Sequence, residues 1–197
     1  MTVLVGITQR VITDPRGERR DALDQRWSPF LAACGLTPLI LPNHTDSALT
    51  LASSVPLAGI ILTGGNDIAD FGGDAKERDE AERASVAWAG KRGLSVLGIC
   101  RGAQHLAYLG GGRLERATGH AGTRHPVVPS GREVNSYHDW AIVAAPSGAK
   151  CFATAADGSI EGFRLDRWAA IMWHPEREAS PHPDDLALFR SLFGDMA

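Results

Sequence analysis

The sequence predicts an α/β protein built on a doubly wound, mostly parallel sheet with an antiparallel extension. Three observations carry this expectation. Short apolar runs alternate with stretches at helical spacing as far as residue 109, the order that parallel βαβ units require. Glycine pairs and triplets punctuate those units at 64–65 and 110–112. Beyond Arg113 the pattern changes to short strands and turns up to Trp173, followed by one last helical stretch. At 197 residues, a single domain spanning 1–197 with a full core is expected.

Val3 to Thr8 read as the first strand. Leu23, Trp27, Phe30, Leu31 and Cys34 recur at helical spacing, and Gly35 closes that helix. Pro38–Leu41 and Gly59–Leu62 read as the next two strands, the second running into Thr63-Gly64-Gly65-Asn66-Asp67. Ala81, Ala84 and Trp88 mark a helix that leads through Gly93 to the apolar run Ser95–Ile99. A helix-like run, Ala103 to Leu109, comes next. Ile171–Trp173 read as a buried strand with His174 at its end, and Leu186, Phe189 and Phe193 as the final helix.

Composition excludes several function classes. A net charge of −3 gives no electrostatic pull toward nucleic acid or anionic membrane. No apolar stretch reaches membrane-spanning length, and Met1–Ile7 run straight into a strand without a basic leader. Cys34, Cys100 and Cys151 are too far apart for a disulfide framework or a zinc-ligand spacing. A cytoplasmic protein is the simplest expectation, with monomer and homodimer both left open.

Gly98-Ile99-Cys100-Arg101-Gly102 lies between the strand-like and helix-like runs. It is a G-x-nucleophile-x-G pattern with cysteine where many hydrolases carry serine. A nucleophile on so sharp a turn needs small neighbours, and a helix N-terminus favours thiolate over thiol. A buried core cysteine is the plainer alternative; the flanking glycines favour the nucleophile.

A nucleophilic cysteine needs a base, and the base an orienter. Trp173-His174-Pro175-Glu176 offers both. In an extended segment residues i and i+2 share a side, so Glu176 is expected to reach the His174 imidazole. The other six histidines are expected to lack such a carboxylate partner, although His138 in Asn135-Ser136-Tyr137-His138-Asp139 stands out. Gly64-Gly65 ends a strand, and ligands of open parallel sheets bind beyond such ends. The backbone N–H groups of Gly65 and Arg101 are therefore the expected oxyanion hole, unless the glycines form an ordinary turn. Lys76, Lys91 and Lys150 are the sole lysines, so arginine supplies most of the positive charge. Compositional bias accounts for most of these arginines; Arg10, Arg19, Arg20, Arg78, Arg101, Arg124 and Arg177 fall where a site is expected.

Taken together, Gly-Ile-Cys100-Arg-Gly-Ala-Gln104, the Gly64-Gly65 loop, Asn135-Ser136-Tyr137-His138 and Trp173-His174-Pro175-Glu176 resemble the class I glutamine amidotransferases. The similarity runs along nearly the whole chain and is narrower toward the free-standing γ-glutamyl hydrolase branch (peptidase C26 type). It implies a flavodoxin-like sheet, a Cys100–His174–Glu176 triad and a γ-glutamyl thioester. It further implies that Gln104, Ser136, Tyr137 and His138 hold the glutamyl α-amino and α-carboxylate groups.

Gly6–Arg10, Gly64–Asp67, Asn135–His138, Ser159–Phe163 and Met172–Glu178 resemble, within that branch, hydrolases of γ-glutamyl-CDP-amidate. This implies release of L-glutamate and cytidine diphosphoramidate in capsular phosphoramidate biosynthesis, with Arg10 and Arg177 on the phosphorylated leaving group. The partner expected is a small-molecule γ-glutamyl substrate, with no metal and no organic cofactor. Asp21–Trp27 also looks like a family segment, without an assigned role. The competing readings are a γ-glutamyl-aminobutyrate-type hydrolase, a glutaminase subunit feeding ammonia to a separate synthase, and a non-catalytic binding module.

Overall fold

The structure, a computed structural model, describes residues 3–194. Its strands are β1 (Val3–Ile7), β2 (Arg10–Thr13), β3 (Arg19–Ala22), β4 (Leu36–Ile40), β5 (Leu57–Leu62), β6 (Ser95–Ile99) and β7 (Arg113–Arg116). They continue as β8 (Ala121–Val127), β9 (Arg132–Tyr137), β10 (Trp140–Ala144), β11 (Lys150–Thr154), β12 (Ile160–Leu165) and β13 (Trp168–Ile171). The helices are α1 (Trp27–Cys34), α2 (Thr45–Ser53), α3 (Lys76–Lys91), α4 (Arg101–Leu109) and α5 (Pro183–Phe193).

Nine strands form one mixed sheet, in the order β4-β1-β5-β6-β13-β12-β10-β7, with β11 paired to β12. From β4 to β13 every pairing is parallel, a flavodoxin-like order; β12 begins the antiparallel extension. β2–β3 and β8–β9 are separate hairpins. The parallel strands are near-continuous apolar runs because both faces are covered. Val5, Ile7, Leu97 and Ile99 face one cluster with Phe30, Leu31 and Phe189 of α1 and α5. Ile60, Leu62 and Val96 face the other, with Ala52, Val86 and Leu106 of α2, α3 and α4.

The sequence expectations hold for the sheet and shift at its edges. The first strand stops at Ile7, β4 starts at Leu36 and β5 at Leu57. Leu23 precedes α1 and does not belong to it. Gly35 does close α1, in the left-handed region at φ 80°. The β2–β3 hairpin and α2 were not anticipated from the sequence. No helix among the described residues is long and apolar enough to cross a membrane.

Candidate active site

The C-terminal ends of β1, β5, β6 and β13 converge on one place. Cys100 sits between β6 and α4 with φ 52° and ψ −108°, a conformation that costs an L residue about 1–3 kcal/mol. Its neighbours allow the turn. A Cβ on Gly98 falls 2.5 Å from the Gly102 carbonyl oxygen, and one on Gly102 strikes the Leu62 carbonyl of the adjacent strand. Cys100 N–H donates to Ile171 O (2.8 Å), and its carbonyl accepts from Gln104 N–H (3.0 Å) as the N-cap of α4.

His174 lies three residues beyond β13, which ends at Ile171, not at the end of a strand as the sequence suggested. Its Nδ1 is 2.7 Å from Glu176 Oε1. The expected partnership is present, but the reason differs: Pro175–Arg177 form a 3₁₀ turn, and that turn brings the carboxylate back to the ring. Asn135 on β9 grips His174 on both sides of its main chain. Its Oδ1 accepts from His174 N–H (2.9 Å) and its Nδ2 donates to His174 O (2.8 Å). Gly64 packs against the imidazole and the nucleophile together. A Cβ there lies 3.1 Å from His174 Nε2 and 3.5 Å from Cys100 Cβ.

Burial pushes the Cys100 thiol up, yet the His174 imidazolium, its hydrogen bond, His138 and the Arg101 N–H outweigh this and lower it. Burial alone lowers the His174 value, and the facing Cys100 thiolate together with Glu176 raises it to about 9. The arrangement therefore favours a thiolate–imidazolium pair over two neutral groups.

The loop after β5 is set from below. Buried Arg78 donates to the carbonyls of Thr63 (2.6 Å), Gly64 (3.2 Å) and Gly65. Because C=O and N–H oppose each other across a trans peptide, fixing the Gly64 carbonyl turns the Gly65 N–H away from Arg78. Gly65 and Arg101 line a cleft of about 280 Å³ with Cys100, Gln104, Tyr137 and His138. Ser136 is fully buried and does not line that cleft. Gln104 donates to Trp140 O (2.8 Å), and His138 Nδ1 is 3.0 Å from the same oxygen.

A second cleft, about 210 Å³, is lined by Arg10, Gly64, His174, Glu176 and Arg177, with Leu23, Asp24 and Trp27 of the unassigned segment. Arg10 is exposed and packs over Gly65, whose Cβ position lies 3.0 Å from Arg10 Nε. Arg177 is more committed, with Glu176 at 3.5 Å, Asp24 at 4.0 Å and its guanidinium over the Tyr137 ring at 4.7 Å.

The other arginines do not gather at the site. Arg78 and the Arg101 side chain are buried against Glu82 and Asp79. Arg19, Arg20 and Arg124 pair with Glu77, Glu18 and Glu178 near the surface. The expectation that only His174 has a carboxylate partner is also overturned. His105 lies 2.9 Å from Glu82, and His120, His125 and His138 surround Glu161. Asn135, Glu82 and Glu161 were missed as site-building residues. Asn135 stood inside a recognised motif, whereas nothing around Glu82 in a charged helix signals burial.

A family model described as glutamine amidotransferase class-I matches residues 26–193. The γ-glutamyl-CDP-amidate hydrolase of Campylobacter jejuni is 31% identical, over 89% of this chain and 91% of its own length. The carbamoyl phosphate synthase small chain of Ralstonia nicotianae is 30% identical over 83% of this chain, which spans 43% of that protein. A crystal structure of a glutamine amidotransferase from Thermotoga maritima superposes with a TM-score of 0.67 at 16% identity, covering 98% of this chain and 90% of that one, and supports the fold. With the family model matching most of its length, the chain belongs to the class I glutamine amidotransferases, enzymes that act on amide carbon–nitrogen bonds.

Proposed function

We propose that this protein hydrolyses a γ-glutamyl amide through a γ-glutamyl thioester on Cys100, with γ-glutamyl-CDP-amidate as substrate. The observation that carries the reaction class is the meeting of Cys100, on its strained turn, with the His174–Glu176 pair.

The Cys100 thiolate attacks the γ-carbonyl carbon, and the carbonyl oxygen takes up negative charge. Donors for that oxyanion are the Gly65 and Arg101 N–H groups. The tetrahedral intermediate collapses, the C–N bond breaks, and the His174 imidazolium gives its proton to the departing nitrogen. Thioester formation consumes the thiolate charge that holds His174 near 9. The imidazole then loses its proton-retaining neighbour and becomes the base that takes a proton from water. Attack of that water on the thioester carbonyl releases L-glutamate and restores Cys100. Glu176 remains ionised throughout and fixes the ring. Gln104, Tyr137 and His138, with Ser136 behind them, form the glutamyl side of the site.

Similarity to the C. jejuni hydrolase over 89% of the chain supports the CDP-linked leaving group, as do Arg10 and Arg177, which line the second cleft together with His174. Guanidinium groups bind phosphate by charge-assisted, often bidentate bonds. The products are then L-glutamate and cytidine diphosphoramidate, a building block for capsular phosphoramidate. Similarity to the carbamoyl phosphate synthase small chain supports a second reading, a glutaminase subunit that serves a separate synthase. Steady-state kcat/KM for γ-glutamyl-CDP-amidate, glutamine and γ-glutamyl-aminobutyrate tests the two. The proposal requires the CDP conjugate to lead by at least ~100-fold, which corresponds to about 2.7 kcal/mol in transition-state binding. Equal turnover of the unphosphorylated amides overturns the substrate assignment and leaves a general γ-glutamyl hydrolase.

A further inference from the structure

Beside the catalytic pair lies a second cluster, of which only His138 borders the cleft that the proposed reaction uses. His120 precedes β8, His125 is on β8, His138 follows β9, and Glu161 is on β12. Three side-chain nitrogens surround one oxygen, Glu161 Oε1: His138 Nε2 at 3.4 Å, His125 Nε2 at 3.5 Å and His120 Nδ1 at 3.6 Å. His120, His138 and Glu161 are buried, and their ligand atoms all lie within 4.8 Å of one another. All three nitrogens and both Glu161 oxygens lack a hydrogen-bond partner among the described residues. Five such atoms in one buried spot carry a large desolvation cost unless something positive joins them.

The outer partners of the rings say what that is. His138 Nδ1 lies 3.0 Å from the Trp140 carbonyl oxygen, so it carries the proton and leaves the Nε2 lone pair facing Glu161. His120 Nε2 lies 3.0 Å from Asp157 Oδ2, so it carries the proton and leaves the Nδ1 lone pair facing the same carboxylate. This is the carboxylate- or carbonyl-backed histidine arrangement that orients metal ligands. The spacing agrees. Bonds of ~2.0–2.1 Å to a tetrahedral cation put adjacent ligand atoms ~3.3–3.4 Å apart, whereas direct hydrogen bonds bring them to ~2.7–3.2 Å.

We infer that His120, His138 and Glu161, with His125 as the fourth vertex, form a binding site for a divalent first-row transition metal, zinc by geometry and ligand type. Nitrogen and carboxylate donors suit zinc, and calcium or magnesium would call for oxygen ligands. The cation ties the free-standing β8–β9 hairpin to β12 of the main sheet. That hairpin carries Asn135 and leads into Tyr137 and His138 at the mouth of the cleft. Its role is thus structural support of the site, with no part in the proton transfers assigned to His174.

The test uses protein made without a histidine tag, in zinc-supplemented medium, and dialysed against metal-free buffer. Elemental analysis is expected to find about one equivalent of metal per chain. Zinc added back to chelator-treated protein should raise Tm by several degrees, and Co²⁺ in its place should give the intense visible absorption of a tetrahedral site. Glu161→Gln and His120→Ala should lose the metal. Asp157→Asn should weaken it about 10–100-fold, as expected for an outer partner. Cys100→Ala should retain it. Failure of chelator-treated wild type to bind zinc or cobalt overturns the inference and leaves a glutamate ringed by protonated histidines. Metal that survives both Glu161→Gln and His120→Ala, or leaves with Cys100→Ala, overturns it equally. None of these readouts depends on turnover, so they stand apart from the proposed reaction. If His120→Ala fails to fold, the wild-type titration and Glu161→Gln decide.

Discussion

Asn135 holds His174 by the main chain on both sides, accepting from its N–H at 2.9 Å and donating to its carbonyl at 2.8 Å. The base of the proposed triad therefore takes its place from a strand outside the main sheet. A third bond, from Asn135 Nδ2 to Glu178 Oε1 (2.7 Å), extends the clamp past the 3₁₀ turn. Asn135→Ala leaves a buried N–H and C=O without partners, at about 1–3 kcal/mol each. We expect kcat to fall about 10–100-fold with KM nearly unchanged, and the alkaline limb of the pH profile to move down. An unchanged profile with lower Tm would reduce Asn135 to a stability role.

The strained turn at Cys100 separates activity from stability. Cys100→Ala removes the sulfur but keeps a Cβ at φ 52°, so activity disappears and the strain remains. Cys100→Gly relieves about 1–3 kcal/mol of strain and gives back about 0.4–1 kcal/mol to the unfolded chain. The glycine variant should therefore melt above the alanine variant, although both are inactive. Thermal melts of the pair decide it; the reverse order would mean that the turn is unstrained. Cys34→Ala and Cys151→Ala should keep full activity, since burial pushes the Cys34 thiol up to about 12 and Cys151 is exposed and also raised.

The same two groups set the pH dependence. Cys100 is lowered, so acylation is lost as pH falls through its depressed value and the thiolate protonates. His174 is raised to about 9, so acylation is lost again as pH rises through that value and the leaving nitrogen has no proton donor. A bell-shaped kcat/KM is expected, with its alkaline limb near 9; both limbs belong to the coupled pair. His174→Ala leaves burial dominant, so the pH midpoint of iodoacetamide alkylation should rise. A midpoint that stays put in His174→Ala would dissolve the pair.

Beneath the site, Glu82 carries more charge contacts than any triad residue. Its carboxylate meets Arg78 (3.0 Å), Arg101, His105 (2.9 Å) and Thr8 (2.8 Å), all fully or nearly fully buried. Removing it strands the buried Arg78 guanidinium and leaves Arg101 with Asp79 alone, and breaking such a network costs about 3–5 kcal/mol. Glu82→Ala should lower Tm by roughly 10 °C, at about 2–4 °C per kcal/mol for a chain of this size. Because Arg78 also fixes the Gly64-Gly65 loop, kcat should fall with it. A melt within two degrees of wild type, read by circular dichroism, would remove Glu82 from this role.

Much of this was legible in the residues, and what was not had physical reasons. The parallel strands show because burial on both faces makes them continuous apolar runs, as in Leu57–Leu62. The elbow shows because two glycines must flank it. Helix α2 was hidden: Thr-Asp-Ser-Ala-Leu-Thr-Leu-Ala-Ser is rich in turn formers and is capped by His44, an uncommon N-cap. The β2–β3 hairpin was hidden because its strands are largely exposed and lack alternation. The Glu176 partnership was anticipated from extended geometry and is delivered by a 3₁₀ turn, since Pro175 favours the first position of a helical turn as well as extended backbone. The three histidines around Glu161 lie on and beside the β8–β9 hairpin, and only the fold brings them to Glu161 on β12.

Leaving-group recognition distinguishes the two arginines that border the second cleft. Arg10 is exposed, lies over Gly65, and has no carboxylate within 4.0 Å among the described residues. Arg177 already sits 3.5 Å from Glu176 and 4.0 Å from Asp24, and stacks on Tyr137. A free guanidinium can give both of its parallel donors to a phosphate, whereas a committed one must first be released from its partners. Arg10→Ala should therefore raise KM for γ-glutamyl-CDP-amidate about 10–100-fold, the loss of a charge-assisted bond worth about 1.5–3 kcal/mol. Its turnover of γ-glutamyl-aminobutyrate should change less than threefold, because that amide carries no phosphate. Arg177→Ala should behave differently: it disturbs Glu176 and Tyr137, so kcat falls for both substrates alike. Arg10→Lys keeps the charge but loses the planar fork, and should recover only part of the KM. Steady-state kinetics of the three variants on both substrates measures this directly. If Arg10→Ala weakens the unphosphorylated amide as much as the CDP conjugate, Arg10 does not read the leaving group, and the arginine side of the cleft serves only to shape the oxyanion loop.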